Sequence, residues 1–179
     1  VTLTQISIAE KTLKIQVLKP NLLDVLKGGE NLRAESERLV KDARKAEAQG
    51  RDIIVQLVNS KGVLLKYQEF GNTLGLTHQE TAGAALLFLG KISNEIIQNC
   101  RITGLILIGG DTAMNVMNAL GAHGIRAKEE ALPGIPFGTI LGGRLNGLPT
   151  ITKAGGFGEQ GTLIAVMKYM KKKISGFPY

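Results

Sequence analysis

The chain has 179 residues, 44% apolar and 21% charged, with 22 Lys and Arg against 15 Asp and Glu for a net charge of +7. That length predicts one domain with its own core, and the composition excludes a disordered or membrane-spanning chain. The single cysteine, Cys100, excludes an internal disulfide, and no Cys/His cluster suggests zinc. The longest uncharged apolar run, Gly104 to Gly110, is far shorter than the ~20 residues of a spanning helix. Val1 to Lys19 interleaves Glu10, Lys11 and Lys14 with apolar residues, unlike a signal peptide. A soluble, cytoplasmic domain is expected.

In chain order, Thr2-Leu3-Thr4-Gln5 fits a capping box that opens a short helix ending near Lys11. Thr12 to Leu18 alternates as a strand and stops before Pro20. Asn21 to Lys27 reads as a short helix, and Asn31 as the cap of a longer one to Gln49 with Leu32, Leu39, Val40, Ala43 and Ala46 on one face. Asp52 to Asn59 is a buried strand, and Ser60 to Thr77 a linker-like surface excursion. Thr77-His78-Gln79-Glu80 is a second capping box, opening a helix to about Asn99. Gly104 to Ile108 reads as a fully buried strand and Thr112 to Leu120 as a helix. Ile125 to Glu130, Gly138 to Leu141 and Leu148 to Lys153 are strands, the first two separated by a Pro133-Gly134-Ile135-Pro136 turn. Gly158 to Lys172 closes the chain as an amphipathic helix. This alternation predicts a three-layer α/β domain with a largely parallel sheet and glycine-rich loops at strand C-terminal ends.

Four of the seven net positive charges sit on Lys168, Lys171, Lys172 and Lys173, at a helix end where cations are favoured. With no aromatic interleaving, neither nucleic acid nor a membrane is expected as a partner. Ligands of open α/β sheets bind beyond strand C-terminal ends, where two junctions qualify. At the first, Gly109 and Gly110 follow a buried strand and precede Asp111 and Thr112. Glycines allow a close backbone approach and helix N–H groups can hold an anion. Asp111 then either contacts a ribose hydroxyl or Mg²⁺-bound water, or it or Thr112 simply caps the helix. At the second, Lys153 leads Gly155, Gly156 and Gly158 into the last helix. Gly156, Gly158 and Gly161 match GxGxxG, but a dinucleotide site needs a further strand and an acid about 20 residues on, and no acid follows Gly161. What survives is a loop suited to phosphate oxygens.

His78, His123 and Cys100 have no motif partners, and Cys100 reads as a structural thiol. Glu129 and Glu130 could line a cleft or merely end a strand, and Met114 and Met117 read as core.

GGDT at 109–112, ALPGIPFG at 131–138 and TKAGGFG at 152–158 together resemble the C-terminal nucleotide-binding domain of the four-carbon acid sugar kinases, as does VTxxQ at Val1 to Gln5. The resemblance implies an ATP-dependent kinase acting on acids such as threonate or erythronate. Gly109, Gly110, Asp111, Thr112, Lys153, Gly155, Gly156 and Gly158 would contact ATP, with Mg²⁺ as the accompanying ion and no protein metal centre. Two positions depart from the family pattern: Asp111 stands where Glu is common, and Ala154 where Ser is common. Residues 1–179 would form the nucleotide-binding domain without its first strand and Gly-Ser loop. The sugar-acid domain and the catalytic base would lie outside this chain, which alone would be inactive. A homo-oligomer is compatible with this reading. The alternative is a non-catalytic α/β module that binds a nucleotide or small phosphorylated ligand, while a nicotinamide or flavin protein lacks its second mononucleotide unit.

Overall fold

The computed structural model describes residues 1–175. In chain order these form α1 (Thr2–Thr12), β1 (Ile15–Leu18), α2 (Leu22–Lys27), α3 (Gly29–Ala48), β2 (Asp52–Val55), α4 (Lys61–Thr73) and α5 (His78–Asn99). They continue as β3 (Leu105–Ile108), α6 (Gly110–Ala119), β4 (Gly124–Leu132), β5 (Ile135–Leu141), β6 (Pro149–Lys153) and α7 (Thr162–Ser175). The α/β class is as expected. Length predicts a single core, but the chain divides into two compact units: Lys14–Cys100, and Val1–Leu13 together with the chain from Arg101 onward.

In the Lys14–Cys100 unit, β1 and β2 pair in parallel from Ile15↔Asp52 to Leu18↔Val55. Parallel neighbours need a long crossover, here carried by α2 and α3. Asn21 caps α2 by accepting from the Leu23 N–H at 3.2 Å. One residue, Gly28 at φ 68°, turns the chain straight into α3, which therefore starts two residues before the expected cap at Asn31. Leu39, Ala43 and Ala46 bury the expected face of α3. Beside them the buried Glu35 carboxylate accepts from Arg38 and from the Asn21 N–H at 2.7 Å, so this burial leaves no charge unpaired.

The expected linker at 60–77 is largely helix α4, capped by the Ser60 hydroxyl at 3.2 Å from the Val63 N–H. Only Tyr67 and Gly71 of α4 are buried, too narrow a stripe to show as periodicity. A Cβ on Gly71 would lie 2.2 Å from the Thr81 hydroxyl, so glycine is what lets α5 approach. The Tyr67 hydroxyl donates to the Thr81 carbonyl at 2.8 Å, and burial pushes its pKa up to about 12. The Thr77–Glu80 capping box forms as expected.

In the other unit the sheet order is β3-β6-β5-β4. β3 and β6 are parallel, whereas β6–β5 and β5–β4 are antiparallel, so the sheet is mixed rather than largely parallel. The cause is local: β4 and β5 are joined by Pro133 and Gly134 alone, Gly134 at φ 74°, and so short a turn can join only antiparallel strands. Ile135 and Pro136, expected in the turn, belong to β5. Ala131, Ile135, Phe137, Ile151, Val166 and Met170 form one core cluster. β3 is buried fully only at Leu107, and Met114 is 63% exposed, so neither is the core feature expected; Met117 is buried. Helix α7 begins at Thr162, leaving 158–161 as loop, and α1 packs against it. Near its end Lys173 pairs with Glu129 of β4 and lies 5.4 Å from the Tyr169 ring centre, so this member of the lysine cluster has a packing role.

Candidate functional site

Because β3 and β6 are parallel with Ile108 opposite Lys153, their C-terminal ends coincide at one edge. β3 runs straight into Gly109, and β6 reaches Gly155 and Gly156 after Ala154. Gly109, at φ 100° and ψ 139°, donates its N–H to the Lys153 carbonyl at 2.8 Å, which ties the two loop starts together. Such a φ falls where a side chain is strained, so Gly109 turns the chain directly into α6. The first bond of that helix runs from the Ala113 N–H to the Gly109 carbonyl at 2.9 Å. The N–H groups of Gly110, Asp111 and Thr112 thus have no intrahelical acceptor. No side chain caps α6, so capping does not account for Asp111 or Thr112. Gly110 and Asp111 are exposed at this positive end of the helix dipole.

The second loop, 154–161, is held from outside its own sequence. Thr2 and Gln5 do not form a capping box on α1, whose N-cap Val1 makes no side-chain bond. They cross to the loop instead. The Thr2 hydroxyl donates to the Gly155 carbonyl. Gln5 Nε2 donates to the carbonyls of Phe157, at 3.2 Å, and Glu159, at 2.7 Å. Gly158, at φ 84°, is fixed as glycine by conformation and by space, since a Cβ there would lie 2.6 Å from the Thr162 hydroxyl. Gly156 faces open space, and a Cβ there would meet nothing within 4 Å. The Phe157 ring, 46% exposed, lies over Gly134 of the β4–β5 turn.

Lys153 does not lead the loop outward. It is 2% exposed, and its ammonium donates to the Ala154 carbonyl at 2.8 Å. Burial pushes its pKa down. Gly109, Gly110, Asp111 and Thr112 thus follow the end of β3, and Gly155, Gly156 and Gly158 follow the neighbouring end of β6, where the Lys153 side chain is buried. Thr2 and Gln5 were missed by sequence reasoning as parts of this region; the VTxxQ pattern carried the signal, but a helix start explained it locally.

The weaker candidates take other roles. The Glu129 carboxylate is held low by its bond from Lys173, and Glu130 accepts from the Gly134 N–H at 3.3 Å. Glu129 thus links β4 to α7, and Glu130 closes on the β4–β5 turn. Cys100 is buried, and burial together with nearby Glu47 raises its pKa, which keeps the thiol protonated. His78 is exposed in the first turn of α5, and His123 is exposed beside Gly142. Among the described residues no three His, Cys, Asp or Glu side chains converge to hold a metal, and no helix is long and apolar enough to cross a membrane.

The model of the nucleotide-binding C-terminal domain family matches residues 1–163. The chain belongs to this family. Its relatives agree with the resemblance to four-carbon acid sugar kinases. A D-threonate kinase of Salmonella typhimurium is 46% identical over 88 residues, covering 49% of this chain and 21% of that protein. A D-erythronate kinase of Heliobacterium modesticaldum is 28% identical over 127 residues, covering 70% of this chain and 29% of that protein. The chain thus spans less than a third of these curated relatives. Among solved structures, a domain of unknown function from Bordetella bronchiseptica, with bound citrate and as a domain-swapped dimer, matches with TM-score 0.67 at 24% identity. That match covers 94% of this chain and 37% of the other, and it supports the fold.

Proposed function

We propose that this domain binds ATP at the edge formed by its two glycine loops and offers the γ-phosphate to a hydroxyl of a four-carbon sugar acid. The observation that carries the reading is the shared strand edge: Gly109 bonds Lys153, and two sets of backbone amides open from that point. Phosphoryl transfer depends mainly on positioning and on stabilising charge, which fixed amides and a helix N-terminus supply. The N–H groups of Gly110, Asp111 and Thr112 would take one part of the phosphate chain, and the loop around Gly155, Gly156 and Gly158 another. Lys153, buried under the loop, would support it and add positive potential rather than grip an oxygen.

Mg²⁺ fits this edge only as an ion carried by the nucleotide. It usually keeps several waters and takes one or two carboxylates besides phosphate oxygens. Asp111 is an exposed carboxylate at the right helix end, and no acidic cluster competes with it among the described residues. The sugar acid and the base that orients its hydroxyl would come from residues outside this chain, in keeping with relatives several times its aligned length. The dimer described for the Bordetella domain makes a homo-oligomer a reasonable extension of the same reading.

Calorimetric titration with Mg·ATP and with an unreactive ATP analogue tests the proposal. Saturable heat from both is expected; none at millimolar nucleotide from a folded sample would contradict it.

A further inference from the structure

Three carbonyls of the 154–161 loop are drawn to the same helix. Gly155 accepts from Thr2, and Phe157 and Glu159 both accept from Gln5. In a trans peptide the carbonyl of one residue and the N–H of the next point in opposite directions. Tying the carbonyls of residues 155, 157 and 159 towards α1 therefore aims the N–H groups of Gly156, Gly158 and Gln160 away from it. All three of these residues are exposed, and none of the three N–H groups donates to another described residue. Alternate amides facing one way form the kind of donor set that anions occupy.

Gln5 is a costly choice unless those bonds matter. It is fully buried, and its Oε1 has no protein partner among the described residues. An apolar side chain of similar size would avoid burying that acceptor. The amide also has one productive orientation, because flipping it would set Oε1 against two carbonyl oxygens.

We propose that Thr2 and Gln5 are positioning residues for nucleotide phosphate. They touch no ligand; they hold alternate carbonyls inward so that the amides of Gly156, Gly158 and Gln160 stay aimed outward. The inference rests on the nucleotide reading above and deepens it, since it makes a helix some 150 residues away in sequence part of the phosphate site.

The test compares the full chain with its Gln5→Leu, Thr2→Val, Thr2→Ser and Ile6→Ala variants. Affinities for Mg·ATP and tripolyphosphate are measured by calorimetry, and amide resonances by ¹⁵N spectra without ligand. Losing two bonds should weaken both ligands about tenfold in Gln5→Leu, and losing one should weaken them roughly threefold in Thr2→Val. Thr2→Ser, which keeps the hydroxyl, should stay within about twofold of the parent. Free Gln5→Leu should show displaced amide resonances at Gly156, Gly158 and Gln160. Ile6→Ala, a core truncation on the same helix, should lose melting temperature without losing affinity.

Parental affinity in a folded Gln5→Leu variant would overturn the proposal. So would an Ile6→Ala variant that loses affinity in step with its stability, since the helix would then matter only as scaffold. If Gln5→Leu does not fold, Thr2→Val against Thr2→Ser decides by the same criterion. A parent chain that binds neither ligand sinks the nucleotide reading instead. The spectra then judge the clamp alone, and unmoved loop amides in Gln5→Leu or Thr2→Val would reject it.

Discussion

The loops at 109–112 and 154–161 leave neighbouring ends of one sheet, yet opposite means hold them. The first is a single glycine, Gly109, between β3 and the helix that begins at Gly110, and its restraints are the left-handed Gly109, the first helical bond to Ala113 and one bond to Lys153. The second runs for eight residues, and its shape depends on Thr2 and Gln5, side chains from the far end of the chain. A helix start organises its own amides, because the free N–H groups follow from helix geometry. A longer loop needs an external clamp to do the same.

That contrast implies a ranked set of effects. The largest is expected for Gly156→Asp. The space where its Cβ would stand is open and its φ is not left-handed, so the fold should hold with a melting temperature within about 2 °C of the parent, roughly what 0.5 kcal/mol shifts in a chain this size. The added carboxylate would face the phosphates, and ATP affinity should fall by about thirtyfold, near 2 kcal/mol. An unchanged affinity in that folded variant would remove the second loop from the site.

Gly109→Val should come next and behave differently, since it acts through the backbone. A β-branched residue held at φ 100° costs about 1–3 kcal/mol. Melting should drop by roughly 2–4 °C per kcal/mol, with affinity falling about tenfold. Loss of affinity without loss of stability would mean that the first loop is less self-organised than the comparison holds.

Asp111→Asn should cost about three- to fivefold in Mg·ATP affinity and almost nothing when Mg²⁺ is omitted. Equal losses in both titrations would move Asp111 away from the ion.

The smallest effect on binding should come from Lys153→Met, within about twofold, because the ammonium is turned into the protein. Its stability effect has a definite sign. Burial lowers the folded pKa below 10.5, so the folded state disfavours the ammonium. That cost is fully present below the folded pKa and fades as pH approaches 10.5. Melting curves should show Lys153→Met at or above the parent near pH 7, with the parent regaining ground as pH rises towards 10.5. A parent that instead loses ground as pH rises would contradict this account of Lys153.

The same contrast separates what could be read in the sequence from what could not. The Thr77 capping box, the Gly28-Gly29 break and the Gly109-Gly110 turn are local devices, and each forms close to where its residues stand. The α/β alternation followed from such segments. Thr2 and Gln5 matched a local pattern equally well, but their partners lie across the fold, and no spacing rule relates residue 5 to residue 159. Helix α4 is not legible as a periodic pattern, because only Tyr67 and Gly71 are buried. The antiparallel β4–β5 pair was foreshadowed by Pro133-Gly134, a signal outweighed by the helix-strand alternation of the preceding segments. The division into two units depends on residues 1–13 rejoining the chain after Cys100, which no local pattern encodes.

The most direct test of the central claim is a ¹⁵N amide titration of the chain with Mg·ATP. The account predicts saturable shifts at Gly110, Asp111 and Thr112 and, with the same midpoint, at Gly156, Gly158 and Gln160. Saturable shifts confined to residues 14–100, or to one loop with the other unmoved, would contradict it.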